Sequence, residues 1–132
     1  MRPIPVGATG SYTLRVMPAH LANQFKDVSL PQVFATPMMV TAMENAALNA
    51  VRDYLDAGES AVGTGVNVRH LAATPVGHQV TAVAEVTKVD GRHIEFKVNA
   101  RDETEEIGNG THERMVVDMA RLDQRLKAKK LP

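Results

Sequence analysis

Three side chains in this sequence could move protons or attack a carbonyl carbon, and Glu44 stands first among them. It falls within VFATPMMVTAMENAALNAVRDYLDAGES (33–60), which reads as one long helix. Thr36 suits its N-cap, Pro37 its first helical position and Gly58 its C-terminal stop. Val40, Ala47, Leu48 and Val51 lie three, four or seven positions from Glu44 and so share its face. That face is expected to be buried. A carboxylate there must be paired, protonated or at work, because desolvating its charge costs on the order of several kcal/mol. An ion pair across an interface is the plain structural alternative to catalysis.

His70 is the second candidate. Val66 and Val68 fall on its side of a strand, and imidazole titrates near neutral pH, so a His beside a carboxylate makes a proton-transfer pair. Taken alone, a single histidine is more commonly a half-buried, hydrogen-bonded one. Thr36 is the third: two helical turns before Glu44, its hydroxyl reaches the same pocket mouth. Capping alone, worth about 1 kcal/mol, would also account for it.

Other chemistries are poorly served. The chain has no cysteine, which excludes disulfides, thiolate metal sites and cysteine nucleophiles. His112-Glu113-Arg114 is not a zinc motif, since HExxH needs a second histidine where Val116 stands. His20, His78 and His93 are scattered over loops and turns, so no metal site is expected. A formal net charge of zero argues against nucleic-acid binding, and no apolar run approaches the roughly 18 residues of a membrane span. The N-terminus lacks a signal-peptide core, so a cytoplasmic protein is expected.

The elements that must position these groups follow from periodicity. Residues 10–16 alternate as a first strand, and residues 17–32 are expected to form a loop with one short helical turn. After the helix, expected over about 37–57, the period changes to two. Strands are predicted over 63–73, 78–89, 92–102 and 107–120, with turns at Thr74–Gly77, Asp90-Gly91 and 103–106. Gly63, Gly65, Gly108 and Gly110 within strands mark bulges that bend the sheet. A helix apolar on several sides, with Met38, Met39, Met43, Ala46, Ala47 and Ala50, must be surrounded. The layout is α+β: a long central helix wrapped by a curved five-stranded antiparallel sheet, the hot-dog fold. At 132 residues the chain suits one domain over 1–132, with 1–9 and 122–132 as flexible ends.

With these residues collected, the chain resembles the fluoroacetyl-CoA thioesterase-like family of hot-dog proteins from about residue 5 to 125. The resemblance rests on VFAT followed by M-V-x-x-M-E (33–44), GTxxxVxHxAATPxG (63–77) and EIGNGTHER (106–114). Thr36, Glu44 and His70, at intervals of eight and twenty-six residues, match that family's Thr/Glu/His catalytic set. The resemblance implies hydrolysis of a small acyl-CoA thioester by a homodimer with sites at the subunit interface, needing no cofactor beyond the CoA of the substrate. It also implies that Gly63 and Arg114 lie near the acyl group. Backbone amides at Gly63 and Thr64 could then serve the carbonyl oxygen, because glycine lets the backbone come close.

One departure concerns the substrate. Fluoroacetyl-specific members carry phenylalanines before VFAT as an apolar lid, where this chain has Asp27 and Leu30, with Phe25 out of register. That points away from fluoroacetyl-CoA. Thr36 is expected to bond Glu44 or the substrate, His70 to act as general acid–base, and Glu44 to attack the carbonyl or activate water. Arg69, Lys88, Arg92 and Arg114 are the cations available to CoA phosphates. The alternatives are a non-catalytic acyl-CoA-binding dimer and a hot-dog enoyl-CoA hydratase.

Overall fold

Hydrophobic period and glycine placement account for most of the architecture in the computed structural model, which describes residues 1–132. Strand β1 (Thr9–Arg15) is followed by a short helix α1 (Ala22–Phe25) and the long helix α2 (Thr36–Val51). Four strands follow: β2 (Glu59–His70), β3 (Gln79–Asp90), β4 (His93–Arg101) and β5 (Glu106–Asp118). A final helix, α3 (Met119–Ala128), is capped by the Asp118 carboxylate, which accepts from Arg121 N. The five strands form one curled antiparallel sheet in the order β1-β3-β4-β5-β2, so β1 and β2 are its edges.

Helix α2 runs through the hollow of the sheet, chiefly against β1 and β3. Its buried residues are Met39, Ala42, Met43, Ala46, Ala47, Ala50 and Val51, and the alanines let the backbones approach. Gly10 on β1 completes that approach, because a Cβ there would collide with backbone atoms of Ala46 and Ala50. Phe34, Phe96, Ile94 and Ile107 fill the remaining core. The expected bending is visible at a bulge between Gly63 and Gly65, where Thr64 has no cross-strand partner.

Two boundaries differ from expectation. The helix ends at Val51, passes through a single turn of 3-10 helix at Arg52–Tyr54, and leaves Gly58 to open β2 with φ +82°. Competition from the N-terminal segment explains the early stop. Arg2 N donates to the Tyr54 carbonyl, and the Met1 amino group binds Asp56 at 2.7 Å and Glu59 at 2.9 Å. β2 therefore starts four residues before the expected position. At the other end, residues 119–128, read from sequence as strand end and tail, are helical.

A buried polar knot fixes the entrance to α2. Phe34 N donates to the Thr74 carbonyl, while the Thr74 hydroxyl donates to Asp102 Oδ2 at 2.8 Å. Asp102 Oδ1 accepts from Thr104 N, Thr104 Oγ1 and Glu105 N, closing the 102–105 turn. Burial alone would raise the Asp102 pKa, but these hydrogen bonds outweigh it and bring it down to about 2. The knot ties the β2–β3 loop to the segment that delivers Thr36.

Candidate active site

Thr36 is not a cap. The N-cap position belongs to Ala35, which makes no side-chain capping bond, and Thr36 is the first residue of α2 with Pro37 second. Its hydroxyl is instead 2.8 Å from His70 Nδ1 at the end of β2. The other ring nitrogen, Nε2, is enclosed and has no partner within the chain. Burial lowers the His70 pKa; the Ala72 backbone works against it, and the Lys26 ammonium adds a smaller lowering. The result is a neutral imidazole with one nitrogen engaged and one free. Thr36 and His70 line a cavity of about 350 Å³ together with Lys26, Leu30, Phe34 and Leu71. Leu30 lines this cavity, while Asp27 accepts from Ser29 N and Oγ.

A second cluster forms around Glu44. The helix face expected to bury it holds Ala47 and Val51 at its centre, but Glu44 itself lies at the margin with its side chain 39% exposed. The exposure arises because β2, beside it, is an edge strand with nothing beyond it. Arg114, which pairs in register with Gly63, is buried and sends Nη1 to 3.7 Å from Glu44 Oε2. The same nitrogen donates to the Glu44 backbone carbonyl at 3.4 Å, and Nε and Nη2 both donate to the Ala61 carbonyl. Arg114 is therefore engaged within this cluster. Gly63 lets the carboxylate come close, since a Cβ there would lie 2.8 Å from Glu44 Oε2.

His112, which carries no role in the sequence reading, completes this cluster. Its ring stacks on Phe96 at 5.8 Å, with Nδ1 2.7 Å from the Gly65 carbonyl and Nε2 3.1 Å from Arg114 Nη1. A signal was available: His112 and Arg114 share strand parity with Val116, so two polar residues point inward from a half-buried strand. Lys26 was missed for want of any pattern in its loop.

Within one chain the two clusters stay apart. Thr36 bonds His70 and not Glu44, which sits eight residues along α2, roughly 12 Å by helical rise. Of the other cations considered for CoA, Arg92 is held by Glu59 at 3.2 Å, while Arg69 and Lys88 are exposed. No three His, Asp or Glu side chains gather as a metal site.

Residues 16–120 match the family described as fluoroacetyl-CoA-specific thioesterase. The chain belongs to this family. A fluoroacetyl-CoA thioesterase from Streptantibioticus cattleyicolor is 44% identical over 99 residues, covering 75% of this chain and 71% of that protein. A solved fluoroacetyl-CoA thioesterase structure superposes with a TM-score of 0.92 at 36% identity, covering 98% of this chain and 99% of that one. A Thermus thermophilus protein described as a thioesterase superfamily member gives 0.89 at 32% identity, covering 98% and 97%. The hot-dog fold of this family member follows from the same matches.

Proposed function

We propose that the protein is a homodimeric acyl-CoA thioesterase whose two sites each draw on both subunits. The observation that carries the reading is how the site residues divide along β2. His70, with Thr36, stands at one end of this unpaired edge strand, and Gly63, with Glu44 and Arg114, stands toward the other. Antiparallel pairing of two β2 edges about a twofold axis between Val66 and Asn67 sets Gly63 opposite His70 of the partner subunit. Directly opposed residues lie about 5 Å apart, so Glu44 then faces that imidazole. Val66, 47% exposed on the free edge, gains cover in the same step.

In this arrangement the Glu44 carboxylate attacks the thioester carbonyl carbon and the C–S bond breaks, leaving CoA as thiolate and an acyl–Glu44 anhydride. Neutral His70 takes a proton from water, which attacks the acyl carbon. Glu44 is released with the carboxylic acid, and the imidazolium proton goes to the thiolate. Thr36 holds the ring by its Nδ1 bond, and Gly63 and Thr64 amides serve the oxyanion. The chemistry calls for no metal or cofactor. Leu30 and Asp27 at the lid positions support a small acyl group without preference for fluorine. CoA thioesters are intracellular, which supports a cytoplasmic setting.

The test is subunit complementation. Glu44→Ala and His70→Ala homodimers should each lose at least about 10²-fold in thiol release from acetyl-CoA. Mixed and re-equilibrated, they should regain about a quarter of wild-type activity, since half the dimers are mixed and each holds one intact site. Inactive parents with no regain would refute the shared site. Tight acyl-CoA binding without thiol release would identify a binding protein instead, and consumption of crotonyl-CoA absorbance a hydratase.

A further inference from the structure

The environment of His112 leaves its ring one protonation pattern. The Gly65 carbonyl can only accept, so Nδ1, at 2.7 Å, carries the hydrogen. A guanidinium can only donate, so Nε2, 3.1 Å from Arg114 Nη1, must present its lone pair. Around it stand Arg114 and Glu113 on β5, Glu44 on α2, the Gly65 carbonyl on β2 and the Phe96 ring on β4.

This ring spans the two parts of the Glu44 cluster. One nitrogen grips Gly65, which closes the bulge holding Gly63 and Thr64; the other grips Arg114. Together with the Ala61 and Glu44 backbone carbonyls, His112 draws four hydrogen bonds from the guanidinium, all to uncharged acceptors. The carboxylate is left at 3.7 Å, well beyond the about 2.8 Å of a charge-assisted bond. We propose that His112 is a positioning residue for the hydrolysis: its Nδ1–H tautomer clamps Arg114 to the β2 bulge and keeps the guanidinium from closing onto Glu44, leaving that carboxylate free to attack. This rests on the thioesterase reading above.

Three variants separate the two grips. His112→Asn keeps a donor for Gly65 and loses the acceptor for Arg114; His112→Gln does the reverse; His112→Phe keeps the stack and loses both. His112→Asn and His112→Phe should lower kcat by about 10- to 100-fold, the cost of a misplaced reacting group, with little change in KM. His112→Gln should restore most of that loss. In an Arg114→Met background, His112→Asn should have no further effect on kcat, a result that destabilisation alone would not produce. Equal rates for the Asn and Gln variants, or an undiminished His112→Asn effect without Arg114, would overturn the inference. Glu44→Gln assayed in parallel reports separately on the thioesterase reading. If Glu44→Gln is impaired while His112→Asn is not, only the inference falls; if Glu44→Gln is fully active, the reading beneath it falls.

Discussion

In the proposed site, Glu44 and His70 stand in opposite states of engagement. Glu44 has only a loose charge neighbour and half-open surroundings, while His70 is half-buried and held at one nitrogen. Rapid quench with acetyl-CoA followed by mass spectrometry should therefore find an acyl adduct on the Glu44 peptide; its absence at every time point would assign Glu44 to activating water. Gly63→Ala places a Cβ 2.8 Å from the Glu44 carboxylate, whose flexible end must swing away. We expect a loss of about 10²-fold in kcat with thermal stability nearly intact, because the displaced atoms are partly exposed. Lys26 is one of the causes lowering the His70 pKa, so Lys26→Met should raise it. An imidazole NMR titration reads this directly, and an unchanged or lower value would disprove the coupling.

Helix α2 owes its position to small residues at its contact with β1. Gly10→Ala would drive a Cβ into the Ala46 and Ala50 backbone, which cannot turn aside as a side chain can. Overpacking of this kind costs about 1–3 kcal/mol, which a denaturant midpoint would report. Because α2 carries both Thr36 and Glu44, a shifted helix should lower kcat as well. The entrance to the helix depends on the Thr74–Asp102 knot, and Asp102→Ala should loosen Thr36 from His70 without touching either.

For the whole molecule, the pH response has a definite sign. His70 and His112 both titrate below the ordinary 6.5, chiefly because burial disfavours the charged ring. The unfolded chain thus binds protons that the native chain refuses. Stability from these groups is full above pH 6.5 and declines as pH falls toward their native values. Asp102, at about 2 against an ordinary 3.8, adds a second decline between those values. Urea unfolding across this range should show both; a flat profile from pH 6.5 to 5 would contradict the lowered pKa values of these histidines. The free β2 edge beside a half-exposed Glu44 makes dimerisation part of the same account, and light scattering should return twice the 14.3 kDa chain mass.

Alternation of Tyr12 and Leu14 on β1, and of Ile94, Phe96 and Val98 on β4, was enough to predict those strands, because side-chain parity alone decides which face a strand buries. The mixed apolar faces of residues 38–51 likewise announced an enclosed helix. Thr36, Glu44 and His70 were legible as residue types at telling intervals. Their partners were not. A threonine before a helix reads as a cap until the fold brings His70 to it across 34 residues of chain, and a helix reads on to Gly58 until the N-terminus takes Tyr54 and Asp56. Local preferences are properties of neighbouring residues, whereas the bonds of Thr36 to His70 and of His112 to Arg114 and Gly65 exist only once distant strands have been laid side by side. The sequence by itself determined the elements and the chemical groups; tertiary structure decided which groups meet.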